Sequence, residues 1–276
     1  MKIAIAVVAV ILVIIIVENL RISVSRYRVT CRGLSKNFKG FRIVHLSDLH
    51  SKRFGKNYGR LTELIIPLHP DLIFFTGDLI SRNEHDISKK ISLMESLMKI
   101  APVYYSIGNH ETDNQETTAR LIKAIKKLGV TVLINSKATI ERNNDRIDIY
   151  GLALERYFYV DTNDKFVNLP PVMNADVNEL LGKNNGGNFS ILLTHTPLPF
   201  EEYEKWGADL IFAGHMHGGV VRIPFTHKGM LSPERKFFPE YTEGVFRKFG
   251  ANMIVSRGLG KFRLFNPSEI VLVSLR

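Results

Sequence analysis

The sequence contains a single cysteine, Cys31, so no disulfide can form within the chain and a disulfide-stabilised scaffold is excluded. A lone cysteine on a strand-like segment is expected to be a small apolar packing residue. Internal repeats, low-complexity tracts and linker-like stretches are also missing from the sequence. We therefore expect one large domain of roughly 250 residues beyond the N-terminal segment.

Acidic residues are scarce relative to basic ones, with 27 against 37, and the net charge is +10. The basic excess is concentrated in the first sixty or so residues. It fits attraction to anionic lipid headgroups or phosphorylated substrates, and it fits a solvated basic face equally well. No recognised nucleic-acid-binding motif or basic helix accompanies the charge, so we expect no nucleic-acid partner.

Long apolar runs are absent except at residues 3–17, IAIAVVAVILVIIIV. The run is slightly shorter than the ~20 residues that usually span a bilayer, but residues 18–20 can extend it into the interface. A cleaved signal peptide would need a small-x-small site, and a buried soluble helix would be expected to show a polar stripe; the sequence has neither. We expect an uncleaved single-pass anchor at 1–20 in the cell membrane, followed by one domain at 21–276.

The orientation of this anchor follows from the charges that flank it. The basic excess after the apolar run favours a cytoplasmic domain by the positive-inside rule. The same basic residues also fit the first strand of the folded domain, which would reduce their topological meaning.

Strand-like runs alternate with amphipathic helical patterns up to residue 135. The order strand–helix–strand–helix–strand–helix–strand is typical of an α/β sheet with helical crossovers. Beyond this point the sequence predicts two strands joined at Asn143-Asn144-Asp145 and a helix near 174–182. Later strands, mostly hairpin-like, are predicted at 190–194, 209–213, 220–223, 251–255 and 269–275.

Short polar motifs follow five of the apolar runs. They read FRIVHLSDLH (41–50), DLIFFTGD (71–78), VYYSIGNHE (103–111), SILLTHT (190–196) and ADLIFAGHMHGG (208–219). Their histidines are His50, His110, His195, His215 and His217. Hard oxygen ligands and imidazoles at several strand ends suit divalent metal ions.

The motifs differ in how specific they are. Asp48 and His50 are two residues apart, and in extended backbone both would point to one side and could hold one ion. Asp78 could equally be a helix cap or turn residue, and His195 alone would more often be a satisfied core histidine. His215 and His217, flanked by glycines, are the most specific pair.

In this order, the motifs resemble those of the calcineurin-like metallophosphoesterases, over residues 48–219. The segment SRGLGKFRLFNPSEIVLVSL (256–275) and the N-terminal apolar run resemble the membrane-anchored bacterial YkuE-like branch. The resemblance implies an α/β fold, a four-layer α-β-β-α sandwich of two mixed sheets, with one N-terminal transmembrane helix. It also implies a hydrolase acting on a phosphodiester, pyrophosphate or monoester.

The resemblance further implies a site for two divalent metal ions, of Mn, Fe, Zn or Co type, which activate water for attack at phosphorus. One ion would be held by Asp48, His50, Asp78 and His217, and the other by Asp78, Asn109, His195 and His215, with Asp78 bridging. His110 matches the family histidine that stabilises the transition state or protonates the leaving oxygen. Glu111, where the family more usually has Asp, could orient His110.

The chain departs from the family pattern at two positions. Ser81 stands where many relatives have a second Asp, and Met216 lies between the paired histidines, where we expect it to face away from the metals. Arg53 and Asn57 could contact substrate phosphate, although an exposed basic loop explains them equally well.

The substrate has two leading descriptions. The first is a phosphorylated small molecule or lipid-linked phosphoester cleaved at the membrane. The alternative is a UDP-diacylglucosamine-type lipid pyrophosphatase, whose acyl pocket could come from the aromatic residues Phe158, Phe225, Phe237, Phe238 and Phe246. A non-catalytic membrane-anchored binding module is the rival from another class, and retention of every ligand position argues against it.

Overall fold

The computed structural model describes residues 13, 15–160, 169–223, 226, 228–248, 250–260 and 263–276. The anchor predicted at 3–17 therefore lies largely outside the described residues. A helix, α1, covers residues 15–20. Within the described part of the chain, no helix is both long and apolar enough to cross a membrane.

The first sheet has six strands in the order β1-β12-β2-β3-β4-β5. Its strands are β1 (Ile22–Val29), β2 (Arg42–Leu46), β3 (Leu72–Thr76), β4 (Val103–Ser106), β5 (Thr131–Val132) and β12 (Ser268–Leu275). All neighbours pair in parallel except β12 with β2. β1, the first strand of the domain, lies at an edge of this sheet.

The helices of the first half cover one face of this sheet. They are α2 (Gly59–Ile65), α3 (Ser88–Met98), α4 (Asn109–Asp113) and α5 (Gln115–Lys127). The predicted alternation of strands and helices up to residue 135 is confirmed. Each crossover helix connects two parallel strands, so the strands' carboxyl ends lie along one edge of the sheet.

The second sheet also has six strands, in the order β10-β11-β9-β8-β7-β6. Its strands are β6 (Ser136–Arg142), β7 (Asp145–Leu152), β8 (Phe189–Thr194), β9 (Leu210–Ala213), β10 (Gly244–Lys248) and β11 (Ala251–Val255), and its helices are α6 (Asn174–Leu181) and α7 (Phe200–Trp206). The predicted turn between β6 and β7 is confirmed, with φ of 49° at Asn143 and 69° at Asn144. Asparagine tolerates this left-handed conformation.

The prediction that the later strands are mostly hairpin-like is wrong. Strands β7, β8, β9 and β11 pair in parallel. Helix α6 connects β7 to β8, and α7 connects β8 to β9. The strand predicted at 220–223 is also absent. Val221 and Arg222 form only isolated bridges, because Val220, with a φ of 45°, turns the chain at their start.

Three apolar layers hold the two sheets and their helices together. The layer between the sheets contains Phe74 from β3 and Phe212 from β9, with ring centroids 5.0 Å apart. Two further clusters pack helices against the outer sheet faces. The arrangement is an α/β fold of two mixed sheets, with helices outside. Cys31 is buried in the central layer, as expected of a packing residue, and burial raises its thiol pKa to about 12.

Candidate metal centre

The predicted ligands converge at one end of the two sheets. Each follows the carboxyl end of a parallel strand, and the first sheet contributes three such loops and the second sheet two. Asp48 and His50 follow β2, Asp78 follows β3, Asn109 follows β4, His195 follows β8, and His215 and His217 follow β9. Except for His50 and His217, which are partly exposed, these residues are buried.

The backbone of these loops is strained. Five of the residues have φ between 49° and 67°, a region that side chains other than glycine rarely adopt: Asp48, His50, Asp78, His215 and His217. The reasoning that Asp48 and His50 share a side because the backbone is extended is therefore wrong. A tight turn brings them together, with the His50 N–H donating to the Asp78 carbonyl at 3.0 Å.

The first cluster joins Asp48, His50 and His217. The Nε2 atom of His217 lies 3.4 Å from an Asp48 carboxylate oxygen and 3.4 Å from Nε2 of His50. One ligand atom from each residue lies within 4.8 Å of the others. Two imidazole nitrogens and a carboxylate oxygen at this spacing can share one divalent cation.

The second cluster joins Asp48, Asp78 and His195. The Nε2 atom of His195 lies 3.2 Å from Asp78 and 3.7 Å from Asp48, while its Nδ1–H donates to the Thr76 carbonyl at 2.8 Å. Burial disfavours the charged imidazole, but the carboxylates of Asp78 and Asp48 outweigh it and raise its pKa to about 10. A bound cation would replace that proton, because a histidine ligand binds through its free nitrogen lone pair.

Asn109 and His215 are the remaining predicted ligands of the second ion. The side-chain oxygen of Asn109 is buried and has no hydrogen-bond partner among the described residues. His215 is outside the clusters formed by described residues, and its Nε2 lies 2.5 Å from the Glu234 carboxylate. If Nε2 donates its proton to Glu234, the Nδ1 atom is left with the lone pair that a metal requires.

Sequence reasoning missed Glu234. The residue is buried, and burial would raise the pKa of its carboxyl, but the adjacent His215 imidazole outweighs this and holds the pKa at about 2. Glu234 follows Ser232 and Pro233 in a segment without regular structure, 17 positions after the second histidine of the GHMHGG motif. No local pattern marks such a residue.

The donor set fits divalent metal ions. Buried carboxylates, an amide oxygen without a partner and imidazole nitrogens face one another, and water is largely excluded. Two glycines allow the close approach. A Cβ on Gly214 would lie 2.4 Å from an Asp48 oxygen, and one on Gly258, whose φ is 72°, would lie 2.6 Å from the Asp48 Cβ.

His110 forms a third group of potential metal ligands with His50 and Asp78. Its Nε2 is 3.8 Å from Asp78, and its Nδ1 accepts a hydrogen bond from the Arg82 N–H at 3.2 Å. Burial lowers the pKa of His110 to about 4, so the ring is neutral at pH 7. With Nδ1 occupied as an acceptor, the single proton lies on Nε2, which faces the site.

The hydrogen bonds of Glu111 go to backbone groups and not to His110, which the sequence suggested it could orient. The Glu111 carboxylate accepts the backbone N–H groups of Asp78, Ile80 and Gly108, at 2.8, 3.1 and 2.8 Å. Burial and the neighbouring Asp78 raise its pKa to about 6, although these hydrogen bonds oppose the shift. The Glu111 carboxylate therefore connects the loops that carry Asp78 and Asn109 by hydrogen bonds.

The remaining predicted positions lie around the site. Met216 is buried in the core of the second sheet, which confirms that it faces away from the ligands. The Ser81 N–H donates to Glu84 at 3.0 Å. Arg53 is exposed at the rim of a cavity beside the site, and Asn57 is exposed in the next turn but does not line that cavity.

The four described residues of the suggested aromatic pocket do not line one cavity together. Phe158 lines a cavity of about 570 Å³ that also contacts His215 and Glu234. Phe246 packs against the core of the second sheet, and Phe237 and Phe238 are exposed. Phe225 lies outside the described residues.

The comparisons with known proteins agree on one family. The model of the calcineurin-like phosphoesterase family matches residues 41–219. The chain is 29% identical to the uncharacterized metallophosphoesterase Cj0846 of Campylobacter jejuni, over 86% of this chain and 60% of that protein. It is 29% identical to the uncharacterized metallophosphoesterase YkuE of Bacillus subtilis, over 82% and 74% of the two chains. For the phosphodiesterase YaeI of Escherichia coli, the identity is 28%, over 87% and 83%.

One relative with a lower sequence identity is named after its substrate. The chain is 23% identical to the UDP-2,3-diacylglucosamine pyrophosphatase LpxG of Chlamydia muridarum, over 85% of this chain and 83% of that protein. The similarity to these relatives extends well beyond the motif region, because it covers most of each aligned chain.

Proposed function

The chain belongs to the calcineurin-like phosphoesterases, and from this membership we propose that the cluster of ligands at the sheet edge is its active site. The protein is a hydrolase that acts on phosphoester bonds, and the family uses two divalent metal ions. The identity of the ions, of Mn, Fe, Zn or Co type, and the ligand assignment are part of the proposal.

The observation that carries this proposal is the position of the Asp78 carboxylate. One of its oxygens faces imidazoles from three separate loops, at 3.2 Å from His195, 3.7 Å from His50 and 3.8 Å from His110. A carboxylate shared between ligand groups in this way fits a bridge between two ions. Asp48, His50 and His217 would complete one ion's ligands, and Asn109, His195 and His215 the other's.

When bound, the two ions lower the pKa of a water molecule and stabilise the attacking and leaving oxygens at phosphorus. The protein's own residues then place the substrate and stabilise the leaving oxygen. His110 presents its Nε2–H to the site, where the neutral imidazole would donate a hydrogen bond to the leaving oxygen as negative charge develops on it. The Arg82 N–H holds Nδ1 as an acceptor, so that the proton stays on the nitrogen that faces the substrate.

A metal-dependence assay tests this function. The purified protein, stripped with a chelator, should hydrolyse p-nitrophenyl phosphodiesters or monoesters only after Mn²⁺, Fe²⁺, Zn²⁺ or Co²⁺ is restored. Asp48→Asn should lose this activity, while His69→Asn, which changes an exposed histidine outside the clusters, should keep it. Metal binding without hydrolysis of any phosphoester would favour the non-catalytic module instead.

A UDP-diacylglucosamine-type lipid pyrophosphatase is the second candidate. The similarity to LpxG over most of both chains supports it. Hydrolysis of a UDP-linked diacylglucosamine at the pyrophosphate, with release of UMP, would establish it, and cleavage of simple diesters alone would exclude it.

We also propose that residues 1–20 anchor the protein in a membrane and that residues 21–276 form the catalytic domain. The apolar sequence of residues 3–17 supports the anchor, as does the exposure of Val13, Ile16, Val17 and Leu20 at its end. The flanking basic residues favour a cytoplasmic catalytic domain. Full-length protein that stays in the soluble fraction at both low and high salt would exclude the anchor.

A further inference from the structure

A cavity of about 720 Å³ lies between α1 and the loop that follows β2. One wall is formed by Ile15, Ile16, Asn19 and Leu20 of α1, and the other by residues 51–53. We propose that this cavity binds the apolar chain of an amphiphilic phosphoester substrate. The inference rests on the phosphoesterase function proposed above and names the class of substrate.

The cavity adjoins the candidate metal centre through the chain itself. Ser51, in its wall, directly follows His50, one of the proposed ligands. The neighbouring Lys52 is buried and directs its ammonium group away, to Ser268 Oγ at 2.6 Å and the Gly260 carbonyl at 3.4 Å. A substrate whose phosphate reaches the ions could therefore extend its substituent along residues 51–53 into the cavity.

The position of α1 is fixed by contacts with the domain. The Asn19 amide donates to the Arg263 carbonyl at 3.1 Å, and Arg60 donates to the Leu20 carbonyl at 3.2 Å. The apolar wall is thus tied both to the segment that contains Gly260 and to the first turn of α2. A preformed wall reduces the conformational cost of binding a ligand.

The chemistry of the lining favours a hydrocarbon chain over a polar group. Ile16 and Leu20 leave 58% and 57% of their surface exposed, so their side chains are available to contact an apolar chain. The Asn19 amide and the Lys52 ammonium already donate within the protein, which leaves the exposed residues Ser51 and Arg53 as the other polar side chains of the lining. Arg53 is exposed at the rim, where its charge would attract the phosphate end of an amphiphile.

A chain-length series tests the proposal. Methyl, butyl and octyl esters of p-nitrophenyl phosphate are hydrolysed by the metal-loaded full-length chain, at one fixed detergent concentration. We expect KM to fall at least about tenfold from methyl to octyl, with little change in kcat. Each fully buried methylene is worth about fourfold in binding, so two of them suffice for this change.

Two exposed residues of α1 provide a matched pair of variants. Ile16 lines the cavity, whereas the adjacent Val17, 46% exposed, does not. Ile16→Glu should raise the KM of the octyl ester to near that of the methyl ester and leave the methyl ester unchanged. Val17→Glu should keep the wild-type preference for the octyl ester.

The outcomes separate this proposal from the function on which it rests. Absence of metal-dependent hydrolysis of every ester would overturn the phosphoesterase function itself. Hydrolysis without chain-length dependence would overturn the cavity proposal alone. Equal loss of the preference in Ile16→Glu and Val17→Glu would also overturn it, because the preference would then come from the general apolar surface of α1.

Discussion

Removal of the Glu234 carboxylate should weaken one of the two metal sites and leave the other nearly intact. Glu234 contacts His215 through a 2.5 Å hydrogen bond, and both residues are buried. In Glu234→Ala, His215 would lose the acceptor that favours a proton on Nε2 and the contact that holds its ring in position. Nδ1 would then be free to carry the proton, and the ring would no longer present a lone pair to the metal.

The size of the effect follows from the type of hydrogen bond. A bond to a charged group contributes roughly 1.5–3 kcal/mol, and mutation of the outer partner of a metal-binding histidine typically costs about 10–100-fold in affinity. We therefore expect the dissociation constant of one site to rise by about 10–100-fold. Glu234→Gln should fall between wild type and Glu234→Ala, because its amide oxygen can still accept the bond without the charge.

The measurement is a Co²⁺ or Mn²⁺ titration of the chelator-treated protein by calorimetry, which resolves two sites of different affinity. Glu243→Gln is the matched control, since it alters a half-buried carboxylate that pairs with Arg222 and Arg257 outside the cluster. Two sites of wild-type affinity in Glu234→Ala would refute the reasoning. Equal weakening in Glu243→Gln would refute it as well, because the loss would then reflect general destabilisation.

Three further predictions concern the centre itself. Asp78→Asn should lower occupancy at both metal sites, because we propose that the carboxylate bridges them; metal analysis showing two full sites would contradict the bridge. His110→Ala should keep its metals and lose turnover by ~10²–10³-fold, more for an alkoxide leaving group than for p-nitrophenolate, and equal losses on both would exclude a hydrogen bond from His110 to the leaving oxygen. Gly258→Ala should displace Asp48, whose Cβ would lie 2.6 Å from the new methyl group, and so reduce metal affinity. Gly186→Ala is the control, because Gly186 also has a positive φ, of 67°, but an added Cβ there would meet nothing within 4 Å. This variant should bind metal like wild type. Equal metal affinities of Gly258→Ala and Gly186→Ala in a titration would contradict the steric argument.

The local sequence was sufficient to predict much of the first half of the fold. The runs that become β2, β3 and β4 are mostly apolar and, apart from Arg42, buried, and amphipathic helical patterns separate them. Such a pattern specifies parallel strands with crossover helices, and parallel strands end at a common edge. Polar residues placed just after each run were therefore bound to lie near one another.

The second sheet was less predictable from the sequence. The short helix α7 was missed, and with it the parallel pairing of β8 with β9. Pairing between strands depends on which apolar faces pack together across the sheets, and local periodicity does not contain that information. The turn at Asn143-Asn144 could be predicted because asparagine's tolerance of positive φ is a local property.

The sequence by itself determined which residues could bind metal, because ligand chemistry belongs to the side chain and the five motifs mark it. Only the tertiary structure decided how these residues are held. Glu234 reaches His215 from a segment without regular structure, and Gly258 reaches Asp48 from a loop about 210 positions away in the chain. Glu111 clasps backbone N–H groups of two loops, and α1 closes a cavity against the loop after β2. Each of these contacts joins segments that only the packing of the whole domain brings together, so no short window of sequence could reveal them.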